Sequence, residues 1–252
     1  LLKDDAIRAA QAAGSVLLKH FRKKLSISEK PGAGLVTNAD LEAEAKAVNI
    51  LRRSRPDFGF LTEEAPPKTS SGLGRWVIDP LDGTTNFVHG FPMFCVSIAA
   101  EWNGQVVVGV IHHPILNETY VAVQGRGASL NGRKIKVSPT SRLEDSLLTT
   151  GFTYRKSEFL RHEIETFEKL SKKVRAIRRP GSAALDLVYT ACGVFDAFWE
   201  RSLSPWDVAA GSLIVQEAGG KVTQFDGSPF RIEGAEVLAS NARIHSSLIK
   251  EI

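Results

Sequence analysis

Residues 76–87 constrain the fold of this chain more than any other stretch. They pass from the apolar run Trp76–Ile78 into Asp79-Pro80-Leu81-Asp82-Gly83 and then into two threonines and an asparagine. An apolar run bounded by a turn pair is typical of a buried strand. We expect this strand to stop at Pro80, which has no N–H for a ladder hydrogen bond. The polar residues 84–86 are types that cap helices, so the stretch predicts strand, turn and helix in succession.

Two carboxylates in this stretch, Asp79 and Asp82, stand close together with no basic residue between them. Neighbouring acids resist ionising together unless a cation lies beside them, and Mg²⁺ prefers carboxylate oxygens. The N–H groups of residues 83–85 at the predicted helix start favour an anion such as phosphate. A capped surface loop with two hydrated aspartates explains the short motif equally well, so both interpretations stay open.

Composition limits the class of protein. The chain has 252 residues, of which 43% are hydrophobic and 24% charged, enough for one large globular domain or two small ones. No apolar run is long enough to span a bilayer and the first residues lack the layout of a signal peptide, so we expect a cytoplasmic protein. Cys95 and Cys192 are expected to be reduced thiols in apolar surroundings. The net charge of +4 fits an anionic substrate and also weak contact with nucleic acid.

Helices and strands are expected to alternate along the chain. Helical patterns cover about 4–24, 38–53, 157–172, 181–192, the segment from 205, and 243–252. Strand patterns cover about 58–61, 75–78, 94–101, 106–112, 118–124, 134–137, the region of 147, 175–179, 195–200, 220–225 and 236–239. Residues 28–34, rich in glycine, are expected to form a loop. Asn103-Gly104 between two apolar runs predicts a hairpin, so the first half should contain an antiparallel sheet.

Acidic residues recur at the edges of these elements. Three follow or end predicted strands, and three lie at or before predicted helix starts; they are Glu63, Asp79 and Glu200, and Asp40, Asp82 and Asp207. Ligand sites in layered α/β folds collect at such edges. Each acid alone is more simply a cap or a turn residue. The six together predict a shared site.

These segments resemble those of a known family. Residues 76–87 resemble the first motif of the inositol monophosphatase family, and Trp206-Asp207-Val208-Ala209-Ala210-Gly211 resembles its second. Leu35–Asp40, Thr62-Glu63-Glu64 and Gly181–Ala184 are similar to further family segments, in the same order. Residues 181–211 are most similar to the bacterial inositol-1-monophosphatase branch. Thr62 stands where the family has glycine, a departure that should not affect the acid after it.

The resemblance implies an α/β fold, a layered αβαβα sandwich of the sugar-phosphatase type. It implies one domain over 1–252, with the main metal motif in 1–145 and the substrate pocket and last metal ligand in 146–252. The implied activity is Mg²⁺-dependent release of phosphate from myo-inositol 1-phosphate, a small phosphorylated polyol, by a metal-activated water. Two or three bound Mg²⁺ ions are implied, which Mn²⁺ or Ca²⁺ could replace, and Li⁺ is expected to inhibit the activity. The resemblance also implies a homodimer.

The resemblance also implies residue roles. One ion should be held by Glu63, Asp79 and the carbonyl of Leu81. A second should be held by Asp79, Asp82 and Asp207. A third, weaker ion should lie near Glu63, beside the loop carrying Lys30. Thr84, paired with Asp40, should orient the attacking water, with Glu63 as a further catalytic residue. The substrate-binding residues should be Asp82, Gly83, Thr84, Ser182, Ala183, Glu200 and Asp207.

Two other functions stay open. A phosphatase of the same architecture acting on fructose bisphosphate, histidinol phosphate or a nucleotide bisphosphate would differ around Glu200 and Ser182. A regulator that binds RNA or a transcription factor would use the basic residues Arg175, Arg178 and Arg179, which lack the interleaved aromatic residues of a stacking surface.

Other reactive side chains are given structural roles. Cys95 lies within an apolar strand pattern and Cys192 at a helix end, so neither is expected to be a nucleophile. His112 and His113 are adjacent strand residues that face opposite sides, which does not suit a metal-binding pair.

Overall fold

The computed structural model describes residues 1–30, 34–69, 72–152, 159–234 and 236–252. The helices are α1 Leu2–His20, α2 Asn38–Ser54, α3 Thr84–Val88, α4 Phe159–Ser171, α5 Ala183–Ala191, α6 Pro205–Glu217 and α7 His245–Ile249, with a 3-10 turn at Leu143–Asp145. The strands are β1 Ile27–Lys30, β2 Gly34–Thr37, β3 Gly59–Thr62, β4 Gly74–Asp82, β5 Cys95–Trp102, β6 Gln105–His113, β7 Glu118–Val123, β8 Ala128–Leu130, β9 Arg133–Lys134, β10 Leu147–Thr150, β11 Ala176–Arg178, β12 Ala197–Arg201, β13 Lys221–Thr223 and β14 Glu236–Ser240. No helix in the described ranges combines the length and apolar character needed to cross a bilayer.

The described strands form two large sheets and a separate β1–β2 hairpin. The seven-stranded sheet has the order β3-β4-β5-β6-β7-β8-β9 and is antiparallel except for the parallel pair β3 and β4. The five-stranded sheet has the order β11-β10-β12-β14-β13, and its first three strands are parallel. Asn103 and Gly104 join β5 to β6 with φ values of 51° and 75°, which this tight hairpin turn requires. The predicted antiparallel sheet of the first half is therefore confirmed.

Helices and sheets stack as five layers. Buried residues of α1 and α2, such as Leu17 and Leu51, pack on one face of the seven-stranded sheet. Helices α5 and α6 lie between the two sheets, and α4 and α7 cover the outer face of the five-stranded sheet through Leu170 and Leu248. Helix α6 is apolar on nearly all sides, as a helix between two sheets must be. The predicted αβαβα sandwich is confirmed.

Several predicted boundaries differ from the structure. The segment expected to be a loop at 28–34 contributes to the β1–β2 hairpin, with residues 31–33 outside the described ranges. The predicted strand at 134–137 is only Arg133–Lys134, and β8 was not predicted because its three residues are too few to show alternation. The helix predicted to reach residue 24 ends at His20. The strand expected to stop at Pro80 continues to Asp82.

A buried histidine makes the fold sensitive to acid. His245 is 0% exposed, and its ring nitrogens lie 2.9 Å from Thr223 Oγ1 and 2.8 Å from Ser240 Oγ. Burial, helped by the charge of Lys221, lowers its pKa to about 4. Between the ordinary histidine pKa of about 6.5 and that value, the unfolded chain binds a proton that the folded chain does not.

We therefore expect His245 to lower the free energy of unfolding by up to about 1.4 kcal/mol per pH unit as the pH falls from about 6.5 to 4. Urea unfolding at a series of pH values measures this slope. His245→Gln should give a shallower slope over that window, and the exposed His89→Gln should not. Equal slopes in the wild type and His245→Gln would contradict the assignment.

Candidate metal centre and active site

A β-bulge in β4 brings the two central acids to one side. Asp79 pairs with Ser97 and Asp82 with Cys95, so Pro80 and Leu81 together oppose one residue of β5. Pro80 has no N–H, and the Leu81 N–H donates to Asp79 Oδ1 at 2.9 Å instead of to the neighbouring strand. Strand residues three apart normally face opposite sides, and the extra residue restores Asp82 to the side of Asp79. The expectation that the strand ends at Pro80 was wrong for this reason.

Two carboxylates of β4 and one from a distant part of the chain meet at this bulge. Oxygens of Asp79, Asp82 and Asp207 all lie within 4.8 Å of one another. Asp207 comes from the first turn of α6, where its Oδ2 accepts the Ser204 N–H at 2.7 Å in a capping box. Asp207 therefore serves as a helix cap and also lies within the group of three carboxylates.

These acids are crowded, with Asp79 buried and Asp207 partly exposed. Asp79 is 1% exposed, and burial raises its pKa well above the ordinary range, with further contributions from the charges of Glu63, Asp82 and Asp207. Burial likewise raises the pKa of Asp207, and the charge of Asp82 adds to the effect. Carboxylates held this way favour any cation that can enter, and an all-oxygen donor set suits a hard divalent ion.

Asp82 is fixed by donors from two elements. Its Oδ2 accepts the Ser182 hydroxyl at 2.5 Å and the Ala184 N–H at 2.8 Å, and the Cys95 thiol lies 3.8 Å from the same oxygen. Asp82 is thus the anion at the start of α5, a favourable position for it. Burial still raises its pKa, although the Ser182 and Ala184 hydrogen bonds oppose this.

Ser182→Ala should lower the free energy of unfolding by about 1–3 kcal/mol. The variant loses the hydroxyl that donates to Asp82 and that also accepts the Leu185 N–H at 3.4 Å as the cap of α5. Urea unfolding in metal-free buffer measures the change. Ser171→Ala removes an exposed hydroxyl on α4 and is the matched control. A loss no larger than the control's would contradict this anchoring.

The next residues turn the chain into α3 beside a second acid. Gly83 has a φ of 92°, and a Cβ there would lie 2.7 Å from the Met93 carbonyl oxygen, so glycine is required. Thr84 Oγ1 lies 3.2 Å from Asp40 Oδ1 and 3.0 Å from the Leu81 carbonyl oxygen. Both partners are acceptors, so the single hydroxyl proton of Thr84 points towards them.

Asp40 is fully buried at the start of α2. Its Oδ2 accepts the Thr37 N–H at 2.9 Å and the Thr37 hydroxyl at 2.6 Å, which leaves Oδ1 for Thr84. Burial raises the pKa of Asp40, against the lowering effect of these hydrogen bonds. The helix-cap role expected from the sequence is present, and so is the pairing with Thr84.

Glu63 and Glu200 border the three carboxylates. Glu63 follows β3, and its N–H donates to the Ile78 carbonyl at 3.2 Å, which places it beside Asp79. It lies outside the three-carboxylate group, but its charge raises the pKa of Asp79 and Asp207. Glu200 lies in β12; burial raises its pKa well above the ordinary range, reinforced by the charges of Asp207 and Asp82. The six acids predicted to share a site therefore converge on one region.

Three residues of this region were not given site roles from the sequence. The Asn86 amide, considered there only as a helix cap, donates to the carbonyls of Met93 and Pro180 at 2.8 and 2.9 Å and so joins the two halves of the chain. Cys95 donates to Asp82 from inside an apolar strand, a contact with no local signal. Asp186 is 1% exposed, and its Oδ1 has no hydrogen-bond partner among the described residues. Burial raises its pKa well above the ordinary range, and the charges of Glu200 and Asp82 add to this effect. Its place one helical turn after Ser182 was the available signal.

The chain is similar to known proteins over nearly all of its length. The sequence profile described as "Inositol monophosphatase family" matches residues 2–252. The chain is 42% identical to "Nus factor SuhB" of Pseudomonas aeruginosa, over 98% of this chain and 94% of that protein. It is 44% identical to "Inositol-1-monophosphatase" of Synechocystis, over 96% of this chain and 85% of that protein. The crystal structure of the extragenic suppressor protein suhB from Bartonella henselae superposes with a TM-score of 0.96 at 40% identity, covering 99% and 97% of the two chains.

Proposed function

This chain belongs to the inositol monophosphatase family, and on that premise we propose that it is a Mg²⁺-dependent phosphatase acting on myo-inositol 1-phosphate. The observation that carries the proposal is the meeting of Asp79, Asp82 and Asp207 within 4.8 Å, next to the hydroxyl of Thr84. Asp79 and Asp82 of β4 and Asp207 of α6 have no structural need to converge, and their mutual repulsion disfavours it unless cations are bound.

The donor set fits Mg²⁺, because it consists of carboxylate oxygens and one backbone carbonyl. We assign Glu63, Asp79 and the carbonyl of Leu81 to one ion and Asp79, Asp82 and Asp207 to a second, with a weaker third near Glu63. Residues 31–33, in the loop after Lys30, lie outside the described ranges. Bound Mg²⁺ lowers the pKa of a coordinated water and screens the charge of the phosphate ester.

The protein's own groups orient the reactants. Asp40 accepts the hydrogen bond that the Thr84 hydroxyl donates, so the lone pairs of Thr84 Oγ1 are free to accept a hydrogen bond from the attacking water and to orient it. The N–H groups of Gly83 and Thr84 would hold phosphoryl oxygens. The space for the leaving polyol would be lined by Asp82, Ser182, Ala183, Glu200 and Asp207. Because the Ser182 hydroxyl proton is already donated to Asp82, Ser182 would meet a polyol hydroxyl as an acceptor.

The test is phosphate release from inositol 1-phosphate with and without Mg²⁺, beside fructose bisphosphate, histidinol phosphate and a nucleotide bisphosphate. We expect Mg²⁺-dependent turnover with the highest kcat/KM on inositol 1-phosphate. A higher kcat/KM on another ester would change the assigned substrate but leave the assignment as a phosphatase intact. No Mg²⁺-dependent release from any of them would overturn the proposal. On family grounds we further propose a homodimer.

Li⁺ should inhibit this activity. It is small enough to replace Mg²⁺ beside oxygen ligands, but its single charge stabilises a phosphate ester less. We expect the rate at saturating Mg²⁺ to fall at least about twofold in millimolar LiCl, an order-of-magnitude expectation from the lost charge. Equal concentrations of NaCl are the control for ionic strength. Equal rates in both salts would contradict the prediction.

A second candidate function is favoured by the relatives named "Nus factor SuhB", which match as closely as the named phosphatases. Such a regulator would bind RNA or a transcription factor. Arg178 is exposed, whereas Arg175 is paired with Asp145 at 2.9 Å, so the basic surface is partly neutralised. Salt-dependent RNA binding that Arg178→Ala weakens would support this function. It would not exclude the phosphatase.

A further inference from the structure

The space beside Glu200 depends on a glycine in the neighbouring strand. Strands β10 and β12 are parallel neighbours with Thr150 opposite Trp199, and the Thr150 hydroxyl donates to the Trp199 carbonyl at 2.8 Å. The residue after Thr150 is Gly151, which is buried and therefore lies beside Glu200. The register of the sheet fixes this juxtaposition.

A side chain at Gly151 would occupy the place of the Glu200 carboxylate. A Cβ built on Gly151 would lie 2.1 Å from Glu200 Cδ and Oε1 and 2.2 Å from Oε2. The φ of Gly151 lies outside the left-handed region, so an L residue would not strain the backbone. The three atoms nearest to such a Cβ all belong to the Glu200 carboxylate, which rests against the bare backbone.

The Glu200 carboxylate has few other restraints. None of the described residues donates a hydrogen bond to this carboxylate. The charges of Asp207, Asp82 and Arg179 affect its pKa without contributing such a bond. Its position is therefore set by packing, and the Gly151 backbone is the surface against which it packs. A carboxylate without protein donors can accept hydrogen bonds from the hydroxyls of a ligand.

We propose that Gly151 is a specificity-determining positioning residue, which sets where the Glu200 carboxylate meets the hydroxyls of a polyol leaving group. This inference rests on the proposed phosphatase function. Alanine at this position would push the carboxylate into the polyol space and misalign its hydrogen bonds. An ester whose leaving group has no hydroxyls would be affected much less.

The experiment compares inositol 1-phosphate with p-nitrophenyl phosphate, which offers Glu200 no hydroxyl. Gly151→Ala should raise the KM for inositol 1-phosphate about tenfold, the worth of one good hydrogen bond, and that for p-nitrophenyl phosphate several-fold less. In a Glu200→Ala background the same substitution should add less than about twofold, because the clash is gone. Gly72→Ala is the matched control, since the nearest described atom that a Cβ there would meet is the Asp57 carbonyl oxygen at 3.7 Å.

Equal effects of Gly151→Ala on both esters, or full additivity with Glu200→Ala, would overturn the inference and leave the phosphatase proposal intact. A wild-type protein inactive on both esters with Mg²⁺ would overturn both. If Gly151→Ala does not fold, adding Glu200→Asp, whose shorter side chain leaves room for the Cβ, should restore folding. Failure of that pair to fold would also overturn the inference.

Discussion

Asp207→Asn should lower kcat/KM by on the order of 10³-fold or more while the protein stays folded. The substitution removes one of the three carboxylate charges that Asp79, Asp82 and Asp207 bring together, so the affinity of this group for a divalent cation should fall. Asn keeps an oxygen that can accept the Ser204 N–H, so the start of α6 stays capped. Steady-state kinetics across a Mg²⁺ titration measures the loss.

The same substitution should stabilise the metal-free protein. Asp207 has a raised pKa because it is buried beside Asp82, and a carboxyl whose folded-state pKa is raised costs stability once the pH exceeds its unfolded value of about 4. In chelator, the wild type should therefore lose stability as the pH rises above about 4, and Asp207→Asn should lose less. Adding Mg²⁺ should raise the melting temperature of the wild type much more than that of the variant.

The control is Asp226→Asn, in an exposed turn where the carboxylate accepts the Ser228 N–H at 2.8 Å. It should leave activity and Mg²⁺-dependent stabilisation as in the wild type. If Asp207→Asn kept normal turnover, or lost stability in chelator by several kcal/mol, the acids would be structural and the metal assignment would be wrong.

The convergence of acids could be predicted because each lies where strands or helices begin or end. Glu63 and Asp79 follow an apolar run in parallel neighbours β3 and β4, and Asp207 follows a Ser-Pro helix start. These signals are local, and layered folds gather such edges on one side of the sheet. Element order, the layers and the region of the site therefore followed from sequence patterns and from the family resemblance.

The rest depends on contacts that no local pattern encodes. The bulge arises because Leu81 donates to Asp79 rather than to β5, and the role of Gly151 arises from its register with Glu200. Neither donor choice nor register is visible within a few residues of sequence. Asp82 likewise joins the first half to α5 of the second. Since α5 and α6 also pack between both sheets, we propose that residues 1–145 and 146–252 form a single folding unit.

Thr84→Val should lower kcat by about 10²–10³-fold with little change in KM or in Mg²⁺ affinity. Valine has the same shape but no hydroxyl, so it can neither donate to Asp40 nor accept a hydrogen bond from the attacking water, which loses its fixed direction. Thr84 makes no side-chain cap in α3, so the helix should tolerate the change. Thr84→Ser keeps the hydroxyl and should retain activity within several-fold.

Thr85→Val provides the matched control, because Thr85 is the adjacent residue of the same helix and its side chain is exposed. The same chemical change there should leave kcat as in the wild type. A merely structural role for Thr84 would lower the melting temperature and raise KM together, whereas a role in aiming water lowers kcat alone. If Thr84→Val turned over like Thr85→Val, the proximity of Thr84 to Asp40 would be packing, and another group would have to orient the water.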